Sequence, residues 1–167
     1  MKNKILFLFL SFLLSAGCAS ANDTGVSVVE VDGRTWTVYE NFSLAANSSD
    51  SLESVSGKTP SFLGTHDGAA VFASSEQNSQ RADNVIGFVN DGENTFMLGK
   101  NITFRCKKSV PQCVPSGIEA EELAGGIYSV KANSLSEWKS VLSAISSSPD
   151  ILRYEIIKDF GVKNELD

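Results

Sequence analysis

The chain has 167 residues, with 14 basic and 20 acidic side chains and a formal net charge of −6. An acidic surface repels phosphate, which argues against nucleic-acid binding through charge. The length suits one domain, or one domain with an extension, and is sufficient to bury a hydrophobic core.

Residues 1–21 have the features of an export signal. Lys2 and Lys4 form a positive start, the apolar run Ile5–Leu14 follows, and small residues come next. The apolar run is too short to serve as a permanent membrane anchor. Removal of residues 1–21 would leave 12 basic and 20 acidic side chains, a net charge of −8. The signal therefore predicts an exported protein.

Two cleavage patterns compete at the end of this signal. Ala19-Ser20-Ala21 fits an ordinary signal peptidase, which would leave a periplasmic or secreted protein. Ser15-Ala16-Gly17-Cys18 is similar to a lipobox, which would leave an acylated Cys18 and an outer-membrane lipoprotein. Both outcomes stay open.

Residues 22–83 are predicted to form an N-terminal β region with a linker. The β-rich runs Val26–Val31 and Arg34–Tyr39 are separated by Asp32-Gly33, a pair that favours the two-residue type I′ turn of a hairpin. The stretch 41–57 is rich in Ser and Asn and is typical of a loop or linker.

Short β runs continue through the middle of the chain. They are Ala69–Ala73, Asn84–Asn90, Thr95–Leu98 and Asn101–Cys106, with Asp91-Gly92 as a predicted turn. Short runs separated by turn residues predict a mostly antiparallel sheet.

Cys106 and Cys113 remain as an internal pair whichever signal peptidase acts. In an oxidising envelope, two cysteines this close in sequence favour a disulfide that closes a small loop. A metal site would need three or four ligands, and the sequence offers no third cysteine for it.

The C-terminal third has strand, helix and strand signals in that order. Ile127–Ala132 alternates like a strand, Ser134 and Glu137 form a capping box, and Ile151–Ile157 is the closing strand. One apolar stripe at helical spacing comprises Leu135, Trp138, Val141, Leu142 and Ile145. The helix is predicted to lie across the sheet, with Trp138 in the core rather than at a ligand.

His66 is the single histidine, and it stands beside Asp67 between two glycines. A Ser-His-Asp triad would have to use His66, but the chain has no Gly-x-Ser-x-Gly elbow. Adjacent side chains rarely converge on one metal ion without further ligands. A His beside an Asp between glycines is typical of a turn, so His66 is interpreted as a turn residue. We expect no catalytic residue, no metal and no cofactor.

Several segments carry a resemblance to a known family. They are NITFRC (residues 101–106), GIEAEEL (117–123), GGIYSVKA (125–132) and SSPDILRYEII (147–157). In the order of its elements and in its Gly-Ile-Tyr…Pro-Asp-Ile…Tyr-Glu frame, the chain from about Asn84 to Ile157 resembles the propeptide domain of subtilisin-like serine proteases. It resembles more closely the external chaperones that partner secreted kexin-like proteases in some Gram-negative bacteria.

This resemblance implies an α+β fold. A ferredoxin-like antiparallel sheet backed by one main helix would span residues 84–157, after an N-terminal β-hairpin region. Propeptides of this kind have a helix between their first two strands, but residues 107–116 contain Pro111 and Pro115. A disulfide-closed loop is expected to replace that helix.

The resemblance also implies a non-catalytic chaperone and inhibitor of a secreted subtilisin-like or kexin-like protease. The open sheet face would cover the protease, and the tail 158–167 would enter its substrate cleft. The expected contacts of the tail are Lys158, Asp159, Phe160, Gly161, Val162, Lys163, Asn164, Glu165, Leu166 and Asp167. A frayed terminus and docking beside the cleft stay open as alternatives.

Glu119 and Glu121 are weaker candidates for a second contact, because carboxylates can cap helix N-termini on a partner. An edge-strand solubility role is the alternative for these acids. Two other functions compete with the chaperone. One is an envelope lipoprotein that serves as an interaction or structural module through Cys18, and the other is a small hydrolase that uses His66.

Overall fold

The computed structural model describes residues 25–45, 61–74, 83–108, 110 and 113–161. The predicted signal peptide, Cys18, most of the Ser/Asn-rich stretch and residues 162–167 lie outside the described residues. Ten strands and one helix make up the described part: β1 (Val26–Val31), β2 (Arg34–Tyr39), β3 (Phe42–Ala45), β4 (Phe62–His66), β5 (Ala69–Ala73), β6 (Val85–Asn90), β7 (Thr95–Cys106), β8 (Glu121–Ala124), β9 (Ile127–Lys131), α1 (Leu135–Ser147) and β10 (Ile151–Asp159).

Seven of the strands form one antiparallel sheet around β7, which has 12 residues. Strand β6 pairs with Thr95–Gly99, and β9 pairs with Asn101–Arg105. Strand β10 pairs with β7 from Met97 to Cys106 and overlaps both partners. Because a strand has two edges, β6 and β9 share one edge of β7 while β10 occupies the other. Strands β1 and β2 extend the sheet beyond β6, and β8 extends it beyond β9.

The two faces of β7 enter different cores because its side chains alternate. Phe96, Leu98, Ile102 and Phe104 belong to a core that also contains the apolar stripe of α1. Met97 points to the opposite face and packs with residues of the smaller sheet. The first half of β7 is therefore covered on both sides.

The second sheet has three antiparallel strands in the order β3-β5-β4. Val71 of β5 is fully buried, and Phe42 of β3 packs against Phe88 of β6 with ring centroids 6.2 Å apart. Strand β4 was not predicted from the sequence, and β3 lies within the stretch 41–57 that was predicted to be a loop or linker. The hairpin of β4 with β5 turns through Asp67, at φ 50°, and Gly68, at φ 76°.

Helix α1 has the predicted cap and buried face. The Ser134 hydroxyl accepts a hydrogen bond from the Glu137 N–H at 3.1 Å, and the Glu137 carboxylate accepts one from the Asn133 N–H at 2.7 Å. The five residues of the predicted stripe are all buried. Trp138 is fully buried, 6.5 Å from Trp36 between ring centroids, so its prediction as a core residue is confirmed.

The predicted fold class is wrong. The protein is mostly β, with a seven-stranded antiparallel sheet, rather than a ferredoxin-like α+β sheet backed by a helix. The sequence prediction treated residues 84–157 as the whole sheet. However, Thr37–Tyr39 of β2 pair with Phe88–Asn90 of β6, so the sheet extends across the boundary that was predicted at residue 84.

The predicted disulfide between Cys106 and Cys113 is present, with 5.5 Å between the Cα atoms. Both cysteines are buried within the core that contains α1. Within the described residues, α1 is the one helix, and no helix is long and apolar enough to cross a membrane.

Candidate protein-binding surface

One face of the C-terminal half of the large sheet is open. Tyr128, Val130, Tyr154 and Ile156 pack with the helix-side core, so their neighbours in sequence point to the other face. That face, which we call the open face, carries Asn101, Thr103, Arg105, Ile127, Ser129, Lys131, Arg153 and Glu155. Among the described residues, no helix or strand packs over the open face. The smaller sheet covers only the half of the large sheet that contains β6.

The open face is mostly polar and carries charges of both signs. The Arg153 guanidinium lies 3.8 Å from the Glu155 carboxylate, and both side chains are mostly exposed. Thr103 lies at the centre, opposite Ser129 on β9 and Glu155 on β10. A hollow of about 90 Å³ lies between these strands. Interfaces between proteins that also exist free in solution are about as polar as the rest of the surface, so the polarity of this face is compatible with binding.

The predicted acidic contacts lie at the β8 edge of this half. Glu119, Glu121 and Glu122 are exposed, and β8 pairs only with β9 in the described part of the chain. The Glu122 carboxylate accepts a hydrogen bond of 3.2 Å from the Gly126 N–H and so closes the β8–β9 turn. Glu119 and Glu121 line a broad groove of about 800 Å³ that runs between this edge and α1.

The predicted tail begins inside the fold. Strand β10 continues to Asp159, two residues beyond the predicted end at Ile157. The Lys158 ammonium lies 4.6 Å from the centroid of the Trp36 ring, and the Phe160 ring lies 5.2 Å from that of Phe96. These four residues, 158–161, are therefore placed against the body of the protein, and only 162–167 extend beyond the described residues.

His66 connects the smaller sheet to the end of β10. It is the last residue of β4, and its side chain is 8% exposed. Its Nε2 atom lies 3.5 Å from the Asp159 carboxylate and 3.6 Å from that of Asp67. Its Nδ1 atom is buried and has no hydrogen-bond partner. No signal in the sequence links His66 to Asp159, because their contact depends on how the two sheets pack.

This geometry differs from that of a triad histidine. A catalytic base holds its orienting carboxylate at one ring nitrogen and the nucleophile at the other. In His66 both carboxylates lie near Nε2, while Nδ1 lies 3.2 Å from the position that a Cβ atom of residue 161 would occupy. The structure thus places His66 beside the end of β10, next to Asp159. Within the described ranges, no group of three or more His, Cys, Asp or Glu side chains could hold a metal ion.

No protein-family model matches the chain, and no match is found among curated proteins or among solved structures.

Proposed function

We propose that the protein is an exported, non-catalytic chaperone and inhibitor of a secreted subtilisin-like serine protease. The observation that carries the proposal is the position of the chain end. Strand β10 forms part of the open face through Arg153 and Glu155, and the last six residues follow directly after its docked end. One partner molecule could therefore cover the open face and receive residues 162–167 at the same time.

The reach of the terminal segment suits this role. Six extended residues span roughly 20 Å, which is enough to cross several substrate subsites. A protease cleft binds an extended peptide through strand-like backbone hydrogen bonds, so the segment needs no structure of its own before binding. Val162 and Leu166 are the apolar residues available for pockets.

Binding to the native protease surface would explain the chaperone activity. Proteins with many non-local contacts fold slowly, and the subtilisin fold is of this kind. A partner that binds the folded state stabilises it by mass action. The same contacts block the cleft, so inhibition and assistance of folding would depend on one surface.

The test combines two variants with co-expression of a subtilisin-like protease from the same genome. Deletion of residues 162–167 is expected to abolish or strongly weaken inhibition, because it removes the peptide and leaves β10 intact. Thr103→Arg is expected to lower the yield of active protease at least tenfold, because it places a long charged side chain at the centre of the open face.

Thr35→Arg is the matched control for Thr103→Arg. Thr35 is an exposed strand residue of β2, outside the open face. The control should behave like the wild type in both assays. If Thr103→Arg and the deletion both retain full inhibition and full refolding assistance, the proposed function is wrong.

A further inference from the structure

We infer that residues 158–161 form an anchor, which fixes the end of β10 against the body of the protein as far as Gly161. The anchor is a property of the free protein. Its effect on a partner rests on the proposed function, because only a bound groove would benefit from a fixed exit of the chain.

One side of the anchor rests on the aromatic core. The Lys158 ammonium lies 4.6 Å from the Trp36 ring centroid and 5.4 Å from that of Phe96. Phe160, two residues later, packs on the same Phe96 ring at 5.2 Å. A cation over an aromatic face and a tilted ring pair are both attractive contacts. Lys158 and Phe160, which are two positions apart, therefore both contact the aromatic core on the same side of the chain.

The other side of the anchor rests on the β4–β5 turn. The Asp159 carboxylate lies 3.5 Å from His66 Nε2, and its other oxygen accepts a hydrogen bond of 2.9 Å from the Gly161 N–H. Strand pairing with β7 ends at Asp159, opposite Met97. Beyond this residue, side-chain contacts rather than strand pairing direct the chain.

Gly161 is a residue that the anchor requires. Its φ is +68°, in the left-handed region where side chains are unfavourable. A Cβ atom there would lie 2.8 Å from the Asp67 backbone nitrogen and 3.2 Å from His66 Nδ1. A side chain at residue 161 would therefore push the chain end away from the turn.

A fixed exit makes the terminal segment a better ligand. A segment whose attachment point is fixed loses less conformational freedom on binding than one attached to a freely moving strand end. His66 and Gly161 would therefore act as positioning residues, since they affect affinity without entering the cleft.

The experiment compares Gly161→Ala and His66→Gln with the wild type. Hydrogen–deuterium exchange of the amides of residues 158–161 in the free protein measures the anchor. Inhibition of the co-expressed subtilisin-like protease, followed with a chromogenic peptide, measures its effect on binding. Both variants should speed exchange at these amides at least tenfold and weaken inhibition about tenfold.

Gly33→Ala is the matched control. Gly33 has a similar φ of +76°, but a Cβ atom there would meet nothing within 4 Å. Gly33→Ala has the same kind of backbone strain as Gly161→Ala, but its Cβ atom does not clash with a neighbouring residue. It should therefore leave amide exchange at residues 158–161 and inhibition of the protease unchanged. Thermal unfolding of all variants checks that the fold is retained.

Two results would overturn the inference. Unchanged exchange at residues 158–161 in both variants would show that no anchor exists. Faster exchange with unchanged inhibition would show that the anchor does not position the terminal segment. If the wild-type protein inhibits no subtilisin-like protease, the proposed function fails, while the exchange measurement still decides whether the anchor exists.

Discussion

Tyr154 and Asp32 form a contact between residues that are 122 positions apart. The Tyr154 hydroxyl donates a hydrogen bond to an Asp32 carboxylate oxygen in the β1–β2 turn. Burial, and then the hydrogen bond and charge of Asp32, raise the pKa of Tyr154 to about 12. The contact ties the tip of the first hairpin to the last strand.

We expect Tyr154→Phe to lower the free energy of unfolding at neutral pH by about 1 kcal/mol, the usual net value of one hydrogen bond. Because the folded pKa of Tyr154 is raised above the ordinary tyrosine value of 10.0, the contribution of Tyr154 is fully present below pH 10 and is lost as the pH rises toward 12. Urea unfolding at pH 7 and pH 11 measures the difference. If Tyr154→Phe lowers the free energy of unfolding by the same amount at pH 7 and at pH 11, this assignment is wrong.

Asp32→Asn is the companion variant. Asn tolerates the positive φ of 50° at this position, so the turn should persist without the carboxylate charge. Absorbance titration of tyrosinate should then show the pKa of Tyr154 falling toward 10. If the titration curve of Asp32→Asn matches that of the wild type, Asp32 does not contribute to the raised pKa.

Helix α1 is the element that the sequence predicts best, since its cap and buried stripe are both local patterns. Ser134→Ala removes the hydroxyl that accepts from the Glu137 N–H. We expect a loss of about 1 kcal/mol in the free energy of unfolding, the usual value of an N-cap. Urea unfolding monitored by circular dichroism provides the measurement.

Ser136→Ala is the control for the cap. Ser136 is exposed on the same helix, and alanine is the better helix former. This variant should be as stable as the wild type or slightly more stable. Equal losses in Ser134→Ala and Ser136→Ala would mean that the hydroxyl of Ser134 has no special role.

At the scale of the whole molecule, one core joins the N-terminal hairpin to the C-terminal helix. Trp36 of β2 is 1% exposed and contacts both Phe96 and Trp138, with centroid distances of 5.2 Å and 6.5 Å. We therefore predict a single cooperative unfolding transition. Tryptophan fluorescence and far-ultraviolet circular dichroism should give the same urea midpoint.

Trp36→Ala should lower the free energy of unfolding by about 3–5 kcal/mol, the range for a large aromatic residue removed from a core. Val28→Ala, on the same hairpin but 61% exposed, should change the free energy of unfolding by less than about 0.5 kcal/mol. Two separate unfolding transitions would mean that the regions on either side of residue 84 unfold independently. The same conclusion would follow if the helix of Trp36→Ala unfolded with wild-type stability.

Local patterns in the sequence predicted several elements correctly. Asp32-Gly33 forms the hairpin turn with both φ values positive, α1 begins after Ser134, and Cys106 is joined to Cys113. Asp67-Gly68 is the same residue pair as Asp32-Gly33. The rule that predicted the first hairpin turn therefore also predicts a turn between β4 and β5. The end of β10 was placed too early because its last two residues, Lys158 and Asp159, are polar.

Hairpins, caps and a short disulfide loop depend on residues close together in the chain, so the sequence alone is enough to predict them. Sheet order depends on which distant strands pair, and the energies of such pairings differ too little between strands of similar composition to be recognised from one sequence. The pairing of β2 with β6 unites the two halves, and the packing of the smaller sheet brings His66 to Asp159. Long-range packing therefore determined the fold class, the open face and the anchor.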